Sequence, residues 1–439
     1  MRIAIHTLGC KVNQYETAAL EKELRRRGHQ LVPFEAEADA YIVNTCTVTA
    51  VSDKKSRQTI RQARRRSPGA LVAVCGCYAQ TAPRAVEELG VDLVAGTAGR
   101  MAFLDDLEAL LAARTAGAEG PRPAPLVTVD DIMAHRTFEP LSGQGLEGRT
   151  RAMLKVEDGC VNFCTYCVIP YARGRVRSLP AADAARQAVE LARAGYREIV
   201  LTGIEISSWG EDLEGRPQLI DLLEAVCAAL PAGVRLRLGS LEPRTVTEAF
   251  CRRAAALPAL CPHFHLSMQS GCDAVLARMG RKYDTARYYE SVSLLRTWFH
   301  RPGITTDLIV GFPGETEEEF QETLAFLRRC AFSSMHIFPY SKRPGTPAAQ
   351  RPDQILNHVK EERAHRAAAV AGAMEQRYLS RWLGETVSVL FEEQRDGAWH
   401  GYTTRYVPVC VESEENLHNC LRDVHISSVE KGALRGQLA

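Results

Sequence analysis

The chain has 439 residues, 46% hydrophobic and 24% charged, with a net charge of +1. That length suits two or three domains of ~100–200 residues, and the composition excludes a disordered or fibrous protein. No apolar run approaches the ~20 residues that span a bilayer, and the first strand runs straight into Lys11 and Asn13 rather than into a signal-peptide core, so a cytoplasmic protein with no membrane partner is expected.

Residues 1–113 alternate short apolar runs with amphipathic stretches. Strands are expected at Arg2–Leu8, Ala40–Asn44, Ala70–Cys75 and Val91–Ala95, and helices at Glu16–Arg27, Asp53–Arg66, Pro83–Leu89 and Met101–Ala113. This order predicts an α/β fold with a doubly wound parallel sheet, in which ligands gather at the carboxyl ends of strands. Three cysteines fall there: Cys10 in Leu8-Gly9-Cys10-Lys11-Val12-Asn13, Cys46 in Asn44-Thr45-Cys46-Thr47-Val48-Thr49, and Cys77 in Cys75-Gly76-Cys77-Tyr78-Ala79-Gln80. Adjacent strand ends lie about 5 Å apart, so these thiols can converge on one metal cluster; three unrelated core thiols are the alternative. Fourteen cysteines in a cytosolic chain point to metal binding or catalysis rather than disulfides.

The stretch Lys54–Gly69 carries Lys54, Lys55, Arg57, Arg61, Arg64, Arg65 and Arg66 and no acidic residue. It reads either as a solvated helix face or as a phosphate-contacting patch. Residues 114–149, rich in Gly, Pro and Ala at Thr115–Pro125, are expected to form a linker.

Residues 150–383 resume the alternation. Strands are expected at Ala152–Val156, Glu198–Thr202, Arg235–Leu238, His263–Leu266, Thr305–Val310 and Met335–Phe338. Helices are expected between them at Ala181–Ala194, Leu219–Leu230, Thr247–Ala256, Ala286–Phe299 and Glu317–Cys330, with a last one at Asp353–Leu383. Six βα units are too few for a closed eight-stranded barrel, so a partial (β/α)6 barrel is predicted. After its first strand comes Gly159-Cys160-Val161-Asn162-Phe163-Cys164-Thr165-Tyr166-Cys167. Three thiolates at this C-x3-C-x2-C spacing would hold three irons of a 4Fe-4S cluster and leave the fourth open to a small molecule, with Phe163 and Tyr166 shielding it. A zinc knuckle with a borrowed fourth ligand, or three buried thiols, is the bland alternative.

Residues 384–439 alternate apolar and polar residues with turns such as Asp396-Gly397 and predict a small antiparallel β-barrel. Trp399, His400, Tyr402, Arg405 and Tyr406 are groups that could stack on bases or meet phosphates, although Trp399 suits a core equally well.

The Cys160–Cys167 spacing resembles the radical S-adenosylmethionine superfamily, and the whole chain looks like a methylthiotransferase of that superfamily. The three N-terminal cysteine segments match the family's auxiliary-cluster domain. Further matching segments are His265-Leu266-Ser267-Met268-Gln269-Ser270-Gly271, Gly311-Phe312-Pro313-Gly314-Glu315-Thr316 and Tyr340-Ser341-Lys342-Arg343-Pro344-Gly345-Thr346-Pro347-Ala348. The terminal barrel is similar to the RNA-binding TRAM domain. Lys11-Val12-Asn13, Asp53-Lys54-Lys55-Ser56-Arg57-Gln58 and Val168-Ile169-Pro170-Tyr171-Ala172-Arg173-Gly174 resemble the branch that modifies N6-threonylcarbamoyladenosine at tRNA position 37.

The resemblance implies two 4Fe-4S clusters, one on Cys160, Cys164 and Cys167 and an auxiliary one on Cys10, Cys46 and Cys77. It implies S-adenosylmethionine as source of the radical and of the methyl group, with Gly203, Glu205, Ser240 and Gln269 as cofactor contacts. It also implies the tRNA anticodon stem-loop as substrate, an electron donor such as flavodoxin or ferredoxin, and RNA contacts from Lys54, Lys55, Arg57, Arg61, Arg64, Arg65, Tyr402 and Arg405. The alternatives are a methylthiotransferase for isopentenyladenosine, or a non-catalytic iron–sulfur RNA-binding sensor.

Overall fold

The computed structural model describes residues 1–115, 124–141 and 150–439. The chain forms two compact units. The first is made of Met1–Gln144, Lys155–Leu179 and Ser341–Thr346, and the second of Gly145–Leu154, Pro180–Tyr340 and Pro347–Ala439.

The first unit is built on a six-stranded parallel sheet of β1 (Arg2–Thr7), β2 (Gln30–Val32), β3 (Ala40–Thr45), β4 (Leu71–Gly76), β5 (Leu93–Ala95) and β6 (Leu126–Thr128), in the order β2-β1-β3-β4-β5-β6. Side chains alternate across each strand, and both faces are covered, as a parallel sheet requires. Ile3, Ile42, Ala73 and Leu93 face α1 (Lys11–Arg26) and α5 (Arg100–Thr115) through Leu20, Leu24, Phe103 and Leu107. Ala4, Tyr41, Val43, Val72 and Val94 face α2 (Ala50–Arg66), α3 (Cys77–Thr81) and α4 (Pro83–Glu87) through Ile60, Ala63, Ala79 and Val86. Helix α2 starts where the Thr49 side chain accepts from Ser52 N at 3.1 Å and ends on Arg64, Arg65 and Arg66, cations suited to the negative end of the helix dipole.

Three sequence expectations change here. Helix α1 starts at Lys11 rather than Glu16, because Asn13 and Glu16 are polar yet fully buried and so hide its inner face. The three-residue edge strands β2 and β6 are too short to show a period. Strand β6 lies inside the stretch read as a linker and pairs with β5, so that reading is corrected at 126–128; residues 116–123 and 142–149 lie outside the described residues.

Strand β7 (Arg151–Lys155) closes the N-terminal third of the chain. In the first unit the chain then forms a short ribbon, β8 (Glu157–Asp158) antiparallel to β9 (Arg177–Ser178), with α6 (Ile169–Arg173) between them. The later segment Ser341–Thr346 belongs to the same unit. Its buried Arg343 donates to Thr47 Oγ1 at 2.7 Å and pairs with Asp53 at 2.8 Å, and Ser341 Oγ accepts from Ala50 N at 3.1 Å.

The second unit contains the partial barrel. Its strands are β7, β10 (Glu198–Thr202), β11 (Arg235–Leu238), β12 (Ser240–Leu241), β13 (His263–Leu266), β14 (Gly303–Val310) and β15 (Ser334–Pro339). They form parallel sheets β11-β10-β7 and β12-β13-β14-β15, joined by a bridge from Leu236 to Leu260. Helices α7 (Ala181–Arg193), α8 (Leu219–Ala229), α9 (Glu248–Ala255), α10 (Asp273–Met279), α11 (Thr285–Trp298) and α12 (Glu317–Cys330) connect them. The short α13 (Pro347–Gln350) and long α14 (Asn357–Ser380) follow. Inside, Glu198 is buried between Arg235 at 2.8 Å and Arg237 at 2.7 Å, and the two guanidiniums hold its carboxyl at about 2 against the opposing effect of burial.

The chain ends in a closed barrel of β16 (Thr386–Arg395), β17 (Ala398–Thr403), β18 (Pro408–Glu412), β19 (Leu421–Glu430) and β20 (Ala433–Leu438). Val389, Phe391, Trp399, Val409, Val424, Ile426 and Leu434 fill it, together with Tyr378 and Trp382 from the end of α14. Trp399 is thus a core residue.

Candidate functional site

The three N-terminal cysteines follow strands that are neighbours in the sheet, β1, β3 and β4. Cys10 is the N-cap of α1, Cys46 lies just after β3, and Cys77 opens α3. Gly9 sits so close to Cys46 that a Cβ on it would lie 2.8 Å from Cys46 Sγ, and its φ of +104° disfavours any other residue. Cys77 lies within electrostatic reach of both Cys10 and Cys46.

Hydrogen bonds tie the three loops together. Asn13 Nδ2 donates to Leu8 O at 2.8 Å and to Thr45 O at 3.0 Å, bridging the backbone beside Cys10 and Cys46. Thr45 Oγ1 donates to Cys75 O at 2.6 Å, linking the second loop to the third. Ser56 Oγ accepts from Cys46 N at 3.3 Å and donates to Cys46 O at 3.0 Å.

Under this site lies a buried charge cluster. Glu16 accepts from Arg100 Nη2 at 2.6 Å, from Lys155 Nζ at 2.9 Å and from Arg173 Nη1. Burial opposes its ionisation, but Arg100, Arg173 and Lys155 more than offset this and hold the carboxyl well below the usual carboxylate range. Asp158 meets Lys155 at 2.7 Å and Arg177 at 3.3 Å. Arg173 Nε donates to Cys77 Sγ at 3.3 Å. Burial pushes the Cys77 thiol up, and the Arg173 guanidinium opposes that rise. Cys75, without such a donor, is pushed up to about 11 by burial.

The Cys160–Cys167 loop is closed at its base by the β8–β9 ribbon. Gly159 has φ +98°, and a Cβ there would lie 1.9 Å from Arg175 O, so the loop's two ends meet only through glycine. Cys160 N donates to Gly174 O at 3.0 Å, Cys167 N to Cys164 O at 3.0 Å, and Ile169 N to Cys167 Sγ at 3.4 Å. Phe163 lies at the surface of the loop. It is 44% exposed, at φ +47°, and packs edge-on against exposed Tyr171 at 5.8 Å.

Among the described residues no three His, Cys, Asp or Glu side chains surround a point suited to a single metal ion. The donors do fit a thiolate-held cluster. Each triad offers three sulfurs, and each has an N–H aimed at a sulfur, from Arg173 and from Ile169, which is the outer shell such clusters use.

The expected cofactor contacts lie at carboxyl ends of strands in the second unit. Gly203 follows β10, Ser240 follows β11 and is exposed, and Gln269 follows β13. Gln269 holds φ +68° while its backbone bridges Asp307 O and Ile309 N, both at 2.9 Å. Glu205 accepts from Ser207 N at 3.2 Å. Burial and the neighbouring Glu242 push its carboxyl up to about 7. The folded protein therefore binds a proton here that the unfolded chain has released, and stability falls as pH rises from about 4.5 to about 7. Glu205→Gln is expected to flatten that slope, measured as the urea midpoint across pH 5 to 8.

The basic run lies on α2. Lys54, Lys55, Arg61 and Arg65 are exposed, and Arg57 is half-buried and donates to Tyr78 OH at 3.1 Å. Arg64 is half-buried, pairs with Asp92 at 2.8 Å and donates to Ala70 O at 3.0 Å, inside the unit. Tyr402 and Arg405 are half-buried and engaged within the second unit. Tyr402 stacks on Tyr406 at 4.7 Å with the Arg151 guanidinium over the ring at 4.9 Å. Arg405 donates to His300 O at 3.0 Å and Arg301 O at 3.2 Å and lies 5.0 Å over Trp382. Both residues are held in the seam between terminal barrel and partial barrel. Sequence reasoning missed Asn13, Glu16, Arg100 and Arg173 as site residues. The available signal was polar Asn13 and Glu16 sharing the inner stripe of α1 with Val12 and Tyr15.

Residues 2–96 match the model of uncharacterized protein family UPF0004, and residues 154–327 match that of the radical SAM superfamily. A threonylcarbamoyladenosine tRNA methylthiotransferase MtaB of Bacillus subtilis (strain 168) is 40% identical, covering 94% of this chain and 91% of that one. A tRNA-2-methylthio-N(6)-dimethylallyladenosine synthase of Alkaliphilus oremlandii (strain OhILAs) is 32% identical over 99% of this chain and 92% of its own. Among solved structures, the radical S-adenosylmethionine methyltransferase TsrM from Kitasatospora setae superposes with a TM-score of 0.56 at 18% identity, covering 79% of this chain and 77% of that one, a likeness of fold alone. With both cysteine triads in place and relatives matching nearly end to end, the chain belongs to the radical S-adenosylmethionine methylthiotransferase family.

Proposed function

We propose that this protein converts N6-threonylcarbamoyladenosine at position 37 of tRNA to its 2-methylthio derivative. The observation that carries this reading is the set of five relatives named threonylcarbamoyladenosine tRNA methylthiotransferase, 32–40% identical over 90–98% of the chain. Relatives named for the dimethylallyl nucleoside also span the chain, at 31–36% identity, and make that nucleoside the alternative substrate.

In this reading Cys160, Cys164 and Cys167 hold one 4Fe-4S cluster, and Cys10, Cys46 and Cys77 a second. Bound there with S-adenosylmethionine, they supply radical chemistry that opens the unactivated C2–H bond of adenine and delivers a methylthio group. The chain's own residues position these groups. Gly159 lets the first loop close on Gly174, and Asn13, Thr45 and Ser56 fix the loops of the second triad. Gly203, Glu205, Ser240 and Gln269 contact S-adenosylmethionine, with Glu205 able to hold a proton near neutral pH.

An enzyme that works on one base must draw it from its stack. Exposed Lys54, Lys55, Arg61 and Arg65 meet phosphates of the anticodon stem-loop, a contact weakened by salt. The terminal barrel serves as a TRAM-type RNA-binding domain. The protein works in the cytoplasm, and a flavodoxin or ferredoxin supplies electrons. No helix of the described residues is long and apolar enough to cross a membrane.

The test is the nucleoside profile of tRNA from a strain lacking this gene. The threonylcarbamoyl nucleoside is expected to accumulate without its methylthio group and to regain it on complementation. Accumulation of the isopentenyl nucleoside instead would move the substrate assignment to the alternative.

A further inference from the structure

Arg173 lies on α6, on the segment that carries the Cys160–Cys167 loop, yet its guanidinium serves the other triad. The side chain is fully buried, at 0% exposure. Nη1 is taken by Glu16, and Nη2 donates to Asn13 Oδ1 at 2.5 Å and to Glu16 Oε2 at 3.1 Å. That anchorage fixes the plane of the fork and leaves Nε–H to point at Cys77 Sγ, 3.3 Å away. Asn13 in turn bridges the backbone beside Cys10 and Cys46. One guanidinium is therefore registered against all three auxiliary-site loops. A lysine at this position would keep the charge but lose the planar fork.

We infer that Arg173 is a positioning residue for the Cys10/Cys46/Cys77 site, whose Nε–H stays bonded to Cys77 Sγ when that sulfur carries iron and raises the cluster's reduction potential. This rests on the reading that these cysteines hold a cluster. Reduction adds one electron and one negative charge, with no bond made or broken, and a fixed N–H donor bearing positive charge beside the sulfur favours the reduced state. The tie also joins the segment of one triad to the sulfur of the other, so the auxiliary site is complete only when that segment is in place.

The test uses the full-length chain with Cys160, Cys164 and Cys167 replaced by Ala, reconstituted anaerobically with iron and sulfide so that the N-terminal triad is the sole cluster site. In this background Arg173→Lys is expected to load the same iron and to shift the midpoint of an EPR-monitored dithionite titration to lower potential. With guanidino-15N arginine incorporated, the reduced cluster is expected to show coupling to an arginine nitrogen that disappears in Arg173→Lys. Equal iron with an unchanged midpoint and no nitrogen coupling would overturn the inference, since a merely structural arginine moves neither. If Arg173→Lys fails to fold or load, the coupling in the Arg173 background decides alone: its presence supports the inference and its absence overturns it. A triple-alanine background that binds no iron would overturn the two-cluster reading itself, and the inference with it.

Discussion

Replacing Cys160, Cys164 and Cys167 by alanine is expected to abolish both methylthiolation and the reductive release of 5′-deoxyadenosine, while the protein still folds and keeps about four of the about eight irons that the two proposed clusters would hold. The loop is held by backbone bonds that no cysteine side chain makes: Cys160 N to Gly174 O and Cys167 N to Cys164 O. Removing the sulfurs therefore removes ligands without removing the loop's closure. The β8–β9 ribbon beneath it also pairs through backbone. Cys75→Ala is the matched control. Cys75 is as buried as any cysteine in the chain, but it faces the core with Leu71, Ala73 and Leu93, and its loss should leave turnover intact. Iron content, 5′-deoxyadenosine by chromatography and the tRNA nucleoside profile separate these outcomes. Retained 5′-deoxyadenosine release in the triple variant would refute the assignment of this loop.

The second large effect is on stability. Glu16→Gln leaves Arg100, Arg173 and Lys155 buried around a neutral amide, and breaking a buried ion pair in this way costs about 3–5 kcal/mol. The pH dependence follows from the depressed carboxyl of Glu16. Its contribution is fully present above about pH 4.5, where the unfolded side chain is ionised, and is lost as pH falls toward the lower folded value. Wild type should lose stability on acidification over that range, and Glu16→Gln should start lower and lose less. Trp209, Trp298, Trp382 and Trp399 all belong to the second unit, so their fluorescence does not report on Glu16. Hydrogen exchange of the β3 and β4 amides does, and should quicken in the variant. Unchanged protection in those strands would refute the role given to this cluster.

How far the sequence carried these conclusions depended on whether a residue's partners were near it in the chain. Strands Glu198–Thr202, Arg235–Leu238 and His263–Leu266 and helix Glu317–Cys330 were legible to the residue, because each is an apolar run, a period-2 alternation or a helical stripe bounded by its own caps or turns. The shared loop of Cys160, Cys164 and Cys167 was legible from spacing alone, and the nearness of the Cys10, Cys46 and Cys77 loops from a topology that brings β1, β3 and β4 side by side. Arg173 was not legible as part of the second site. Its partners Cys77, Glu16 and Asn13 come from another stretch of chain, and nothing local distinguishes a buried arginine from an exposed one. The surroundings of Tyr402 and Arg405 were hidden for the same reason. They are residue types that bind RNA, and His300, Arg301, Trp382 and Tyr406, distant or unmarked in the sequence, engage them in the fold. Helix α1 was clipped at its start because Asn13 and Glu16 break the apolar stripe exactly where the fold needs polarity inside.

The discontinuous make-up of the first unit has a consequence for synthesis. Its sheet is encoded by residues 1–128, but Lys155, Asp158 and Arg173 come later, and Arg343, the partner of Asp53 and Thr47, later still. On the ribosome the sheet emerges with Glu16 lacking two of its three cations, and the unit gains its last piece only after Thr346 has been made. The loops that carry Cys10, Cys46 and Cys77 are therefore made well before Arg173, which donates to Cys77, and Arg343, which donates to Thr47. An isolated fragment ending before residue 150 would reproduce that unfinished intermediate, with Glu16 short of Arg173 and Lys155.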